Sequence, residues 1–185
     1  MEKLKERNRE RFERFRKQKE EIRRLWNIDQ KTAELIYVVI KAKNPANILE
    51  IGTSNGYSSF IMSLAVDAER CLIETIEVDE SRYSMAQENL QGIGHIKQYL
   101  SKAEDLIPKL TNSYDVVFLD ANKPAYINYF HLIREKLKPG AIVIADNICS
   151  HPETTMPYRS LMLENREFFS TLIEIDAGIL ISVLL

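Results

Sequence analysis

The chain has 185 residues, 45% hydrophobic and 28% charged, with a formal net charge of -2, which is the size and mixture of a single domain with a sizeable core. That balance excludes disorder and a fibre, and no apolar run approaches the roughly 18 residues that crossing a bilayer requires. The charged start "MEKLKERNRERFERFRKQKEEIRRLW" lacks the apolar stretch of a signal peptide, and Cys71 and Cys149 stand far apart without CxxC or Cys/His spacing, so the expectation is a cytoplasmic protein with two reduced thiols and no zinc.

Residues 1–28 read as a charged N-terminal helix ahead of a domain over 29–185. Residues 1–24 carry an excess of Lys and Arg, while Leu4, Phe12, Phe15, Ile22 and Trp26 recur near helical periods as a thin apolar stripe. Such a helix either docks by its stripe with its charges solvated, or presents basic surface to RNA or a sister subunit. A second helix is predicted over 29–43, with Asp29 as N-cap and "NP" at 44–45 as its stop.

From Asn47 short apolar runs alternate with helical stretches. "NILEIG", "LIETIEV", "IKQYL", "YDVVFLD" and "AIVIADN" read as strands. "SSFIMSLAVDA", "ESRYSMAQENLQGIG", "AEDLIPKL", "PAYINYFHLIREKL" and "YRSLMLENREFF" read as helices. "STLIEIDAGILISVLL" closes as two strands broken at Asp176–Gly178, an antiparallel pair. This alternation predicts an α/β fold with a doubly wound, mostly parallel sheet, in which ligands bind outside the carboxyl ends of the strands.

The chemistry-bearing residues fall at those ends. In "EIGTSNGYSS", Gly52 and Gly56 bracket a strand-to-helix turn where backbone can approach a ligand. The spacing is G-x-x-x-G, unlike the G-x-G-x-x-G of dinucleotide sites, and glycines at a tight turn also serve geometry alone. Glu77 ends the second strand, where a carboxylate can accept both hydroxyls of a ribose, so turn and acid together suggest a nucleoside-containing cofactor. "VVFLDANK" carries Asp120 to the tip of one strand, and "IVIADN" carries Asp146 and Asn147 to the tip of another. Two carboxylates and an amide, completed by water, form a hard-cation set suited to Mg²⁺, with Mn²⁺ or Ca²⁺ as alternatives. Each acid alone would equally serve as a cap or a solvated loop residue; the pairing argues for a site.

Together "ILEIGTSNGYSS", "IETIEVDES", "DLIPKL", "YDVVFLDANKPAYINYF" and "LKPGAIVIADN" resemble the divalent-metal- and S-adenosylmethionine-dependent O-methyltransferases of the catechol and caffeoyl-CoA type, which include bacterial relatives that methylate 5-hydroxyuridine in tRNA. The resemblance implies a Rossmann-like class I methyltransferase fold and, in relatives, dimers. It implies that Asp120, Asp146 and Asn147 bind the metal, with Lys123 as general base. Glu50, Gly52 and Ser58 would surround the methionine part of S-adenosylmethionine, Glu77 would hold the ribose, and Lys102 and Ala103 would flank the adenine; Asp120 also borders the cofactor. In-line methyl transfer needs the sulfonium and the acceptor oxygen held near contact distance, with that oxygen made nucleophilic.

The chain departs from the family at Asn122, where many bacterial members have a second Asp. It departs again at "ICSHPETTMPYRS", which lacks the usual Trp and Gly-rich continuation; His151 there is expected to face solvent. A small phenol or catechol would need an apolar pocket, for which Trp26, Tyr126, Met156 and Tyr158 are candidate walls. A hydroxylated RNA base would need basic surface, which the N-terminal helix could supply. The overall charge favours the small molecule. An NAD-dependent oxidoreductase and a non-catalytic S-adenosylmethionine-binding module are the rivals from other classes.

Overall fold

In the computed structural model, which describes residues 1–22 and 25–185, the apolar runs from Asn47 onward become seven strands. These are β1 (Asn47–Ile51), β2 (Leu72–Glu77), β3 (Ile96–Leu100), β4 (Tyr114–Leu119), β5 (Leu137–Ala145), β6 (Phe168–Ile173) and β7 (Ile179–Leu184). They form one sheet in the order β3-β2-β1-β4-β5-β7-β6. The first five pair in parallel, and β7 lies antiparallel between β5 and β6. The strand order reverses between β1 and β4, so their carboxyl ends open the crevice where doubly wound sheets bind ligands.

Helices cover both faces. The helices α1 (Glu2–Arg7), α2 (Arg9–Glu21), α3 (Gln30–Lys43), α4 (Tyr57–Ala65) and α5 (Glu80–Asn89) precede α6 (Ala103–Leu106), α7 (Tyr126–Arg134) and α8 (Pro152–Glu164). Strand side chains alternate between faces. Ile48, Val116 and Phe118 pack with Ile36, Ile40 and Ile61 of α3 and α4. Leu49, Val117 and Leu119 pack with Tyr126, Phe130 and Ile133 of α7. Burial on both faces is why "VVFL" is continuously apolar rather than alternating.

The N-terminal segment departs from the predicted single helix. It breaks at Asn8 (φ -126°) between α1 and α2, and the chain is extended again at Ile22, so Trp26 lies outside the helix and Ile22 is exposed. The apolar stripe is thus confined to Phe12 and Phe15. Phe15 is buried among Phe60, Ala86 and Leu90, and its ring stacks on Phe60 at 5.6 Å. The boundary drawn at 28/29 coincides with the N-terminus of α3, but Phe15 shares its core cluster with α4 and α5.

Besides Glu77, β2 buries a second carboxylate. Glu74 accepts hydrogen bonds from Tyr99 (2.5 Å), Asn112 (2.8 Å) and Tyr114 (2.8 Å). Burial alone would raise its pKa, but these bonds and the Lys97 ammonium more than offset it and hold the pKa below the ordinary value. A depressed carboxylate pKa contributes stability above the unfolded pKa of about 4.3, lost as pH falls through the folded value. Glu74→Gln should therefore melt below wild type near neutrality, with the gap closing below about pH 4; a gap independent of pH in thermal melts would refute the assignment.

Candidate active site at the strand ends

Backbone hydrogen bonds bring the five parallel strands to a common rim. Ser101 N–H donates to Glu77 O (2.8 Å), Gly52 N–H to Ile76 O (2.9 Å), Asp120 N–H to Ile51 O (3.0 Å) and Asp146 N–H to Leu119 O (2.9 Å). Each residue following a strand is thus tied to its neighbour, and side chains distant in sequence become adjacent.

Asp120, Asp146 and Asn147 line one cleft of about 50 Å³ with Trp26, Asn27, Ile28, Asp29, Thr32, Asp176 and Ala177. Lys123 Nζ donates to Asp120 Oδ1 at 2.7 Å, and both side chains are mostly buried. Asp146 is only 4% exposed, with Oδ1 accepting from the Asn147 N–H at 2.7 Å. Burial, and then the Asp120 charge, push the Asp146 pKa up to about 7 against the opposing pull of the Asn147 N–H and Lys123. Asp29 on the same wall faces Lys19, but Asp120, Asp146 and Asp176 share the single lysine Lys123, so carboxylates outnumber cations at the cleft. A donor set made only of oxygen, with that charge excess, fits a hard divalent cation. Among the described residues no three His, Cys, Asp or Glu side chains form a metal cluster by themselves, so the Asn147 amide oxygen and water would have to complete the coordination.

The residues expected on the cofactor side are also grouped. Glu50 is fully buried and accepts from the hydroxyls of Ser58, Ser59 and Thr75. Burial lifts its pKa to about 7, although the three hydroxyls act in the opposite sense. The Glu50 carboxylate therefore anchors the start of α4 beneath the glycine turn, and the Ser58 hydroxyl is directed to it. Glu77 Oε2 accepts from Ser54 N–H (2.7 Å), and Oε1 accepts from the Val78 and Asp79 N–H groups (2.9 Å each). With two lone pairs per oxygen, Oε1 is fully engaged and one acceptor position remains on Oε2, which suits one ribose hydroxyl rather than both. Lys102 and Ala103 open α6 just beyond β3, Lys102 exposed and Ala103 buried.

Two proposed pocket walls belong to the core instead. Tyr126 is fully buried, and its hydroxyl lies 3.0 Å from Leu119 O and 3.1 Å from Asp146 O. One donor thus braces the ends of β4 and β5. Tyr158 is buried against Tyr126 and Phe130. Met156 is exposed on α8 and does not line the cleft, whereas Trp26 does so, 69% exposed with the Arg82 guanidinium 5.4 Å above its ring. Removing the brace in Tyr126→Phe should cost about 1–2 kcal/mol, read as a lower urea midpoint; an unchanged midpoint would show the hydroxyl to be dispensable.

Sequence reasoning missed Asp176 and underread Asp29. Asp176, taken only as a hairpin break, turns at φ 47° and accepts from Thr32 N–H (2.8 Å) and Oγ1 (2.9 Å), capping α3 from across the fold. Asp29 stands at the N-cap position without a side-chain capping bond; its carboxylate faces Lys19 at 3.4 Å instead. A local motif does not announce a contact spanning 144 residues. His151 is exposed, as expected.

The family model described as O-methyltransferase matches residues 5–181. A catechol O-methyltransferase of Niastella koreensis is 35% identical over 125 residues, which are 64% of this chain and 55% of the relative. The catechol O-methyltransferase of Sus scrofa is 29% identical over 136 residues, 68% of this chain and 72% of its own. The chain therefore spans about half to seven tenths of the curated relatives it matches. A putative caffeoyl-CoA O-methyltransferase from Staphylococcus aureus superimposes with a TM-score of 0.82 at 25% identity, over 89% of this chain and 88% of that one. The O-methyltransferase TomG from Streptomyces achromogenes, solved in complex with SAM, gives 0.77 at 25% identity, over 85% and 81%. No helix among the described residues is long and apolar enough to cross a membrane. The nicotinamide alternative, which shared the sheet and the ribose acid, has no support in these matches. With nearly the whole length matched by one model and the class I strand order behind it, the chain belongs to the O-methyltransferase family.

Proposed function

We propose that the protein transfers the methyl group of S-adenosylmethionine to a hydroxyl of a small phenol or catechol, and that the reaction depends on a divalent cation, Mg²⁺ or alternatively Mn²⁺ or Ca²⁺. The observation that carries this reading is the convergence of Asp120, Asp146 and Asn147 on one cleft, with Lys123 Nζ 2.7 Å from Asp120. Asp120, Asp146 and Asn147 would hold the cation. When bound, it supplies positive charge that lowers the pKa of an acceptor hydroxyl. Lys123 would first release one ammonium proton to solvent and then, as a neutral amine, accept the hydroxyl proton at Nζ, and Trp26 would border the reacting atoms at the rim. Glu77 would orient the ribose, with Gly52, Lys102 and Ala103 around the remainder of the cofactor and Glu50 and Ser58 fixing the α4 end beneath its methionine part.

The small-molecule reading is favoured by how five of the N-terminal cations are engaged. Arg11 and Arg14 donate to the carbonyls of Gln91 and Glu88, while Arg9, Arg16 and Lys19 contact Glu13, Glu20 and Asp29. Those charges already have intramolecular partners, which weakens the case for 5-hydroxyuridine in tRNA as the acceptor. Free thiols, Cys71 buried and Cys149 exposed, support a reducing, cytoplasmic setting. Homodimerisation belongs to the same reading, and a single-chain mass by light scattering would remove it.

The test is transfer of labelled methyl from S-adenosylmethionine to catechol, and separately to tRNA containing 5-hydroxyuridine, with and without chelator. Chelator-sensitive labelling of catechol is expected. Labelling of tRNA alone would move the substrate to RNA; labelling indifferent to chelator would remove the metal. Cofactor binding without transfer to either acceptor would favour a non-catalytic module.

A further inference from the structure

A buried amide network joins the N-terminal helix to the turn beside the cofactor residues. Gln18 of α2 accepts at Oε1 from Asn55 Nδ2 (2.9 Å) and Asn89 Nδ2 (2.8 Å), and its Nε2 donates to Asn89 Oδ1 (3.2 Å). Asn89 Nδ2 also donates to the Asn55 carbonyl at 2.8 Å. Asn55 is 0% and Asn89 1% exposed, so the donors have no water to turn to if Gln18 is removed.

Asn55 lies inside the glycine turn, between Ser54 at φ 50° and Gly56 at φ 87°. Ser54 is not glycine, and a side chain held in the left-handed region is strained unless its surroundings fix it. Its N–H donates to Glu77 Oε2 at 2.7 Å. A chain of contacts therefore runs from Gln18 through Asn55 and Ser54 to Glu77. Phe15, packed at 5.3 Å from Tyr57, and Arg11 and Arg14, bonded to the carbonyls after and within α5, hold α2 where Gln18 can reach.

We infer that Gln18 is a positioning residue for the cofactor turn, so that docking of α2 sets the affinity for S-adenosylmethionine. This rests on the cofactor reading proposed above. If the turn populates its binding conformation less often, apparent affinity falls in proportion. The coupling is reciprocal: a bound cofactor holds α2 down.

The test uses the full chain, with S-adenosylhomocysteine affinity by calorimetry and trypsin cleavage within residues 1–22 in its presence and absence. Gln18→Leu should weaken affinity about tenfold, by stranding the Asn55 donor. Gln18→Glu, which still accepts from both asparagines but faces Asn89 Oδ1 with an oxygen in place of the Nε2 donor, should fall between wild type and Gln18→Leu. Ligand should slow N-terminal cleavage in wild type, and less so in Gln18→Leu. A Gln18→Leu protein that melts lower yet binds as wild type would overturn the inference, leaving Gln18 as an anchor only. Should that variant fail to fold, wild-type cleavage still decides: no slowing by saturating ligand also overturns it. No calorimetric binding to wild type would instead remove the cofactor reading itself, a distinguishable failure.

Discussion

Lys123→Ala should lower methyl transfer by about 10²–10⁴-fold while leaving S-adenosylhomocysteine affinity within about twofold, the range expected when one general base is lost from an intact site. The geometry behind the number is local. Lys123 begins a 3-10 turn over Lys123–Ala125, directly after the tip of β4, and its Nζ reaches Asp120 Oδ1 at 2.7 Å and the Tyr126 ring at 5.6 Å. None of the contacts that hold the glycine turn, Glu77 or α4 involves Lys123, so truncating it spares the cofactor side. The control is Lys123→Arg, which keeps a cation beside Asp120 but cannot give up its proton at working pH. If Lys123 only neutralises Asp120, the arginine variant should recover activity; if it accepts the proton, arginine should be nearly as poor as alanine. A full-rate Lys123→Ala enzyme would remove the lysine from the mechanism.

The sheet and the converging strand tips were legible because their signals are local. Four apolar residues ending in Asp120, and four more ending in Asp146, declare buried strands that finish at a polar rim. Because β4 and β5 pair side by side in parallel, with Leu119 opposite Ala145, those tips must meet. Aromatic residues were harder to place, because their side chains serve core and pocket alike. As an aromatic residue Tyr126 is a candidate pocket wall in the sequence, but in the fold it is fully buried on α7, where its hydroxyl braces two carbonyls. The N-terminal helix was read as one piece because charges at every turn mask the break at Asn8. Asp176 and Gln18 act across 144 and 37 or more residues, distances over which periodicity carries no information.

Gly52→Ala should abolish cofactor binding and destabilise the fold by more than about 3 kcal/mol, whereas Gly56→Ala should be milder, although the sequence presents the two glycines as a matched pair. Gly52 has φ 105°, and a Cβ there would lie 2.2 Å from the Asp120 carbonyl oxygen. That neighbour is backbone, tied to β1 by the Asp120 N–H bond to Ile51 O, so it cannot move without parting the tips of β1 and β4. At Gly56 (φ 87°) the added Cβ would meet Leu90 Cδ1 at 2.9 Å, the end of a side chain that can change rotamer. Both substitutions strain a left-handed residue; only the first also displaces the strand that carries Asp120. Thermal melts with S-adenosylhomocysteine titration should therefore rank the variants wild type, Gly56→Ala, Gly52→Ala in both stability and affinity. The reverse ranking would mean that the glycine turn is held by the α4–α5 packing at Leu90 rather than by the approach of the two strands, and the coupling between the cofactor turn and the Asp120 tip would have to be given up.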